Sequence, residues 1–542
     1  MAEDCPKSIL ELVERFERNK EQYKHGRFNE AQLRREFLDP FFECLGWDMT
    51  NKQGYAEAYK DVIHEDAIKV GVKETTKAPD YCFRIGGVRK FFLEAKKPSV
   101  NVKDDPEPAF QLRRYAWSAK LPLSLLSDFE EFAVYDCRIK PALTDKASTA
   151  RIQYYTYKDY ATKWGEIYEI FAKNSILKGS FDKYAESTVK KRGTAEVDES
   201  FLRDIEKWRE NLAKNIALRN SNISQPALNY TVQQTIDRII FLRICEDRGV
   251  EEYGHLREIT QGASTYQKLA EWFLKCDDKY NSGLFHFRKS KGRTSPTDAI
   301  TLSVNIDDKP LKEILKSLYY PDSPYEFSVI SSEILGQVYE QFLGKVIVLN
   351  AKHQAAVEEK PEVRKSGGVY YTPDFIVEYL VKHTLGTLLE GRSLDFAKTL
   401  KIVDPACGSG TFLLQAYQYL VDWHLKWYQQ NQPNSKAIYQ TEERVWKLTM
   451  ETRKQILVNS MFGVDIDSQA VEVTKLSLLL KVLEGERPKA RNRLSIWRSF
   501  DYHTPIRLPT TLIDAAAPMI SALRDGLDAL HESQLRPPHN LR

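Results

Sequence analysis

Apolar side chains recur at four-residue spacing at Leu33, Phe37, Phe41 and Leu45. That period predicts a helix, with Pro40 inside it as a bend or break. Short apolar runs follow at Tyr81–Ile85, Lys90–Ala95 and Leu121–Ser127, punctuated by Gly86–Gly87 and by prolines, and these predict strands. From about residue 196 to 345 helix formers dominate. Val232–Cys245 and Ile330–Val348 both carry apolar residues at helical spacing, so this stretch reads as an α-helical connector. The charged Glu358–Gly368 stretch, ending in Gly-Gly, predicts an exposed loop.

Beyond residue 369 the pattern alternates. A helix is expected over Asp374–Leu389, a strand over Leu400–Val403, a glycine-rich turn, then a helix over Thr411–Trp427. A second strand over Met461–Val464 and a helix over Ser468–Leu483 complete a βαβ pattern, which implies a parallel crossover. From Arg491 to Arg542 the texture changes, with prolines at Pro505, Pro509, Pro518, Pro537 and Pro538 and no clear partner strand. The expected organisation is 1–175 as a mixed α/β domain, 176–345 as the helical connector, 346–490 as an α/β domain, and 491–542 as an atypical tail.

At 542 residues the chain has room for about three domains. Hydrophobic residues at 42% and charged residues at 29% suit a folded chain and argue against wholesale disorder. A net charge of +3 neither demands nor excludes nucleic acid; the short basic runs at Lys190–Arg192 and Arg288–Arg293 read as solvated loops. Seven scattered cysteines without a CxxC suggest neither a disulfide framework nor a zinc site, so a reducing cytoplasm is the expected compartment. No apolar run has the length of a membrane helix.

Two constellations carry chemistry. Pro79–Asp80 opens one strand and Glu94–Ala95–Lys96 closes the next, so period two puts Glu94 and Lys96 on one face and the Gly-Gly turn brings Asp80 alongside. Carboxylates suit a hard cation such as Mg²⁺, and a lysine can orient an attacking water. The bland alternative, a Glu–Lys pair at a strand end, leaves a carboxylate in an otherwise apolar strand, which is costly. This set resembles the PD-(D/E)xK nuclease superfamily. The resemblance implies catalytic roles for Asp80, Glu94, Lys96 and Gln111, the last within Gln111–Leu112–Arg113–Arg114–Tyr115. It also implies metal ligation by Asp80, Glu94 and an acid from the preceding helix, for which Glu36 is the favoured match and Glu43 or Glu65 are substitutes.

The second constellation is Asp404–Pro405–Ala406–Cys407–Gly408–Ser409–Gly410–Thr411, between an apolar strand and a helix. Glycines there admit a ligand close to the backbone, and the helix start offers free N–H groups. No Walker lysine is present, and Asp404 would repel phosphate while attracting a methionyl amino group, which favours S-adenosylmethionine. About 60 residues on, Phe462–Gly463–Val464–Asp465–Ile466–Asp467 ends a second strand with an acid suited to ribose hydroxyls. Cys407 reads as a small packing residue. These motifs resemble class I methyltransferases of the adenine-N6 DNA type. The family's amino-terminal helix motif matches Gly368–Val369–Tyr370–Tyr371–Thr372–Pro373. The resemblance implies cofactor contacts from Tyr371, Thr372, Pro373, Asp404, Pro405, Ala406, Gly408, Gly410, Thr411, Asp465 and Ile466.

Together, with a connector holding Phe241–Arg248 and Leu335–Glu340 as structural segments, residues 1 to about 490 look like a type IIG restriction–modification polypeptide. The implied fold class is α/β multidomain: a restriction-endonuclease-like α/β domain, an α-helical connector and an incomplete Rossmann-like methyltransferase domain. The implied function is site-specific adenine-N6 methylation of double-stranded DNA with S-adenosylmethionine, coupled to Mg²⁺-dependent cleavage, with no membrane role. The family grips its flipped base with Asn-Pro-Pro-Tyr or Asp-Pro-Pro-Tyr, and no such tetrapeptide occurs here; Arg536–Pro537–Pro538–His539 lacks both flanking residue types. The family's long target-recognition region is missing too. The expectation is a truncated or split polypeptide, with a second polypeptide supplying that segment. The alternatives are a cofactor-binding remnant that does not methylate, and nuclease activity alone.

Overall fold

The computed structural model describes residues 4–25, 28–55, 60–64, 68–70, 74–76, 79–187, 196–280, 284–288, 297–330, 344–360, 372, 374–440, 446–465 and 468–483. The chain divides into two compact units, 1–200 with 316–330, and 201–315 with 331–542.

The first unit is built on a mixed sheet. Its strands are β1 (Val62–His64), β4 (Tyr81–Ile85), β5 (Val88–Ala95), β6 (Leu123–Ser127), β7 (Glu131–Asp136) and β8 (Arg151–Thr156), hydrogen-bonded in that order. A separate hairpin pairs β2 (Ile68–Val70) with β3 (Glu74–Thr76). The β4–β5 hairpin turns at Gly86 and Gly87, at φ 58° and 87°, values glycine adopts without strain. β5 and β6 run parallel, and the helix Pro106–Ser118 makes the crossover between them.

Alternation along the strands sorts the core. Tyr81, Phe83, Phe91, Leu93 and Ala95 share a core with Phe16, Phe37 and Phe42 of the amino-terminal helices and Trp164 of the helix Tyr160–Phe171. Cys82, Phe92 and Leu126 face the crossover helix, through Ala109, Leu112, Tyr115 and Ala116. Residues in step with Cys82 and Phe92, namely Asp80, Glu94 and Lys96, therefore share the crossover-helix face.

The predicted Leu33–Leu45 helix runs as Glu30–Leu33, a π-helical turn Arg34–Leu38, then Asp39–Cys44. Pro40 has no N–H for the carbonyl of Glu36, and the Arg15 guanidinium donates to that carbonyl instead. So the helix adjusts at the proline without breaking. The first unit also extends past 175, because Phe181 and Ala185 of the helix Ser180–Ser187 are part of its core. It also takes back residues 316–330, where Tyr325 stacks on Trp117 and Glu326 pairs with Arg114 at 3.2 Å.

In the second unit the helix Gln225–Asp247 is buried on nearly all sides. Its charges are internally compensated: Arg238 meets Asp298 at 2.6 Å, Arg243 meets Asp247 at 2.6 Å, and Glu246 accepts the Gly254 and Leu256 amides. Pairing of this kind is what makes buried charge tolerable, and it fits the structural reading of Phe241–Arg248. The segment Leu335–Glu340 lies outside the described residues.

The helical expectation for Ile330–Val348 fails at its end. Residues Lys345–Leu349 form β9, antiparallel to β10 (Ala355–Glu359), so Glu358 and Glu359 are strand rather than loop. Asn229 explains the change: its side chain donates to the Ile347 carbonyl at 2.7 Å and accepts the Ile347 amide at 2.9 Å, a strand-like pairing from a helix.

The remaining strands are β11 (Ile402–Asp404), β12 (Ile438–Gln440), β13 (Trp446–Leu448) and β14 (Met461–Gly463). β11 and β14 are parallel, with Asp404 opposite Gly463, and β12–β13 is a hairpin. Helices Asp374–Val381, Thr411–Asn431, Met450–Ser460 and Ser468–Leu483 surround a shared core including Val377, Leu413, Tyr417, Leu457 and Leu478. Among the described residues this part has only two parallel strands, β11 and β14. The tail 491–542 lies outside the described residues.

Candidate nuclease and cofactor sites

At the carboxyl end of β5, Glu94 is buried at 2% exposure. Its Oε1 accepts from Lys96 Nζ at 2.6 Å and from Gln111 Nε2 at 2.7 Å. Asp80 lies beside it, its Oδ2 accepting the Ala95 amide at 2.8 Å. All four sequence-expected catalytic residues therefore meet at one strand edge. Burial first, and the Asp80 charge second, push the Glu94 carboxyl up to about 8, against the pull of Lys96. Burial works against the Lys96 ammonium, but Glu94, Glu30 and Asp80 together leave its pKa raised.

A divalent cation suits this edge. Two carboxylates stand side by side at a charge cost, and Glu94 Oε2 is buried with no hydrogen-bond partner among the described residues. Among the described residues no group of three His, Cys, Asp or Glu side chains stands ready for a metal. Asp80 and Glu94 can supply two ligands.

Glu36 forms no metal-ready group of three with this pair among the described residues. Its described contact is the backbone carbonyl held by Arg15. Glu43 pairs with Lys52 at 2.8 Å, and Glu65 lies outside the described residues. The acid from the preceding helix whose charge reaches both Glu94 and Lys96, as that of Asp80 does, is Glu30. It sits one turn before Arg34, and Arg34 itself binds Asp80 at 3.0 Å. The available signal was the i, i+4 pair of Glu30 and Arg34 at the helix start; Glu36 falls on the far side of that helix from Arg34.

The second site lies where β11 and β14 end. Val464 donates its amide to the Asp404 carbonyl and Cys407 donates to the Val464 carbonyl, both at 2.9 Å, so the glycine turn is stitched to the neighbouring strand end. Gly408 donates to Asp465 Oδ2 at 2.9 Å, and Asp404 Oδ1 accepts the Ala406 amide at 3.1 Å. Burial, and then the Asp465 charge, raise the Asp404 carboxyl, with the Ala406 amide opposing. The two acids thus sense one another across the turn.

Gly408, at φ 51°, opens on free space, whereas a Cβ on Gly410 (φ 88°) would come 2.7 Å from Thr474 Cγ2. Thr474, which the sequence reading missed, also donates to the Gly408 carbonyl at 2.7 Å. Pro405 and Ala406 make the turn, and Thr411 starts the helix Thr411–Asn431. Cys407 is buried, and burial pushes its thiol up to about 12, in keeping with packing rather than nucleophilic use. Thr372 is half-buried; Tyr371, Pro373 and Ile466 lie outside the described residues.

Two family models match the chain: N-6 DNA methylase over residues 330–496, and the amino terminus of the type I restriction enzyme R protein over residues 27–142. The chain is thus homologous to restriction–modification proteins, with a restriction-enzyme segment followed by an adenine-methylase segment. It is 37% identical to the type II restriction enzyme and methyltransferase RM.Eco57I of Escherichia coli over 478 residues, 88% of this chain and 46% of that protein. A second relative is the putative type II restriction enzyme and methyltransferase RM.MjaORFECS2P of Methanocaldococcus jannaschii, 23% identical over 48% of this chain and 25% of its own length. The chain therefore spans half or less of these curated relatives. The cryoEM structure of a DrdV–DNA complex aligns with 89% of this chain and 39% of its own at 14% identity, with a TM-score of 0.28, too low for a fold assignment. Among the described residues no helix is long and apolar enough to cross a membrane.

Proposed function

We propose that this chain is the nuclease and cofactor-binding part of a restriction–modification enzyme acting on double-stranded DNA. It would methylate adenine N6 from S-adenosylmethionine and cleave DNA with Mg²⁺. The observation that carries this reading is that each sequence signature closes into one site: Asp80, Glu94, Lys96 and Gln111 at one strand edge, Asp404 and Asp465 across one glycine turn.

In the nuclease site Asp80 and Glu94 would hold Mg²⁺, which supplies Lewis acidity and a bound water of lowered pKa. Lys96, held in place by its hydrogen bond to Glu94, is placed to orient the attacking water and to offset charge at the phosphate. Gln111 fixes the Glu94 rotamer. In the second site Asp404, with its carboxyl raised by burial, gains most from an incoming ammonium, the charge that the methionyl end of S-adenosylmethionine carries. Asp465 stands at the end of β14, the edge where open α/β sheets take a ribose.

Residues 1–542 contain no Asn-Pro-Pro-Tyr or Asp-Pro-Pro-Tyr tetrapeptide, which favours a second reading for these residues in isolation: cofactor binding and nuclease activity without methyl transfer. Purified chain with Mg²⁺ and supercoiled DNA should nick, and D80A or K96A should abolish nicking; cleavage surviving both substitutions removes the nuclease assignment. Labelled S-adenosylmethionine with duplex DNA separates the two methylation readings: transfer by the chain alone contradicts the second.

A further inference from the structure

The Asp80 side chain is held from outside its own sheet. Arg34 Nη1 donates to Asp80 Oδ1 at 3.0 Å and Nη2 donates to the Asp80 carbonyl at 3.2 Å, so one guanidinium grips both backbone and carboxylate. Arg34 is itself clamped. Its guanidinium lies 4.6 Å from the centre of the Tyr81 ring, and the Tyr81 hydroxyl donates to Asp39 at 2.7 Å. His64 Nε2 stands 2.7 Å from the Met49 carbonyl, which assigns the proton to Nε2 and leaves Nδ1 as an acceptor, 3.4 Å from Arg34 Nη2. A planar fork stacked, gripped and partly buried at 17% side-chain exposure differs from a surface ion pair, which loses most of its energy to solvent and side-chain freedom.

Charge counting gives this clamp a purpose. Asp80 and Glu94 stand side by side, and among the described residues Arg34 pairs with Asp80 and Lys96 with Glu94. Arg34 holds Asp80 Oδ1 and the Ala95 amide holds Oδ2, so a divalent cation ligated by Asp80 would share an oxygen that already has a donor.

We infer that Arg34 is a positioning residue of the metal site, orienting Asp80 and acting as its counter-cation until a divalent ion competes for it. This rests on the nuclease reading above. Arg34 fixes where the ligand oxygen points and at the same time holds metal affinity down.

The test is calorimetric titration of Mn²⁺ into the full chain, wild type and variants, with circular dichroism confirming the fold of each. R34Q removes the charge and keeps a donor, so it should bind Mn²⁺ at least about tenfold more tightly, as expected when a cation leaves contact distance of a partly buried carboxylate. R34K keeps the charge but loses the two-point grip, and should bind no more tightly than wild type. If R34Q fails to fold, H64A serves instead: loosening the clamp should tighten Mn²⁺ binding about threefold, the worth of one modest hydrogen bond. D80N should abolish binding in every background. Binding lost in D80N but equal in wild type, R34Q and H64A overturns the role of Arg34 and leaves the nuclease reading standing. Binding that ignores D80N, or no binding by wild type or any Arg34 variant, overturns both.

Discussion

Glu94 is costly to ionise where it stands. Burial and the Asp80 charge lift its carboxyl to about 8, so the folded protein keeps a proton that the unfolded chain has already released. The stability this group contributes is present at low pH and disappears as pH rises through the ordinary carboxylate range towards and past 8. E94Q keeps the hydrogen bond from Lys96 or Gln111 and cannot ionise. Metal-free E94Q should therefore melt about 3 °C above wild type at a pH of about 9, and show little difference at a pH of about 5. A gain that is the same at both pH values would show that Glu94 is not the titrating group. At the second site Gly410 is constrained by geometry. G410A places a Cβ against Thr474 and holds a side chain at positive φ, costing about 1–3 kcal/mol in thermal or denaturant melts. G410A with T474S, which removes the offending methyl and keeps the hydroxyl, should recover part of that loss.

Strand alternation made the candidate nuclease edge readable. Phe91, Leu93 and Ala95 face one way, and Phe92, Glu94 and Lys96 the other, as period two requires, and the Gly86–Gly87 turn set Asp80 beside them. The βαβ order from β11 to β14 was likewise legible, because a glycine turn between strand and helix has few other readings. What failed was register and context. The helical acid was read as Glu36, but which face of a helix meets a sheet depends on its docking, and the π-helical turn at Arg34–Leu38 shifts the phase. Beyond its i, i+4 spacing from Glu30, Arg34 left no local mark, since its partners Asp80, His64 and Tyr81 are remote in sequence. The β9 strand was hidden because Val346, Ile347 and Val348 fit a helical stripe as well as a strand, and the deciding group, Asn229, lies more than a hundred residues earlier. Asn229→Ala should strand both backbone groups of Ile347 and cost about 2–4 kcal/mol in denaturant unfolding; a loss under about half a kcal/mol would show that this pairing is incidental.

At the scale of the molecule, one chain joins a restriction-enzyme segment to an adenine-methylase segment, and each carries its own candidate site. The net charge of +3 leaves DNA affinity to local clusters, so binding to arbitrary duplex should fall steeply, about tenfold or more between low and physiological salt, in a filter-binding or anisotropy titration. Salt-insensitive binding would point to base contacts within these residues. The central claim concerns the turn between β11 and β14, and calorimetric titration of S-adenosylmethionine into wild type and D465A tests it most directly. The account predicts one saturable site in the wild type and affinity reduced at least about tenfold in D465A. Equal affinity in both proteins, or no heat of binding in either, would contradict it.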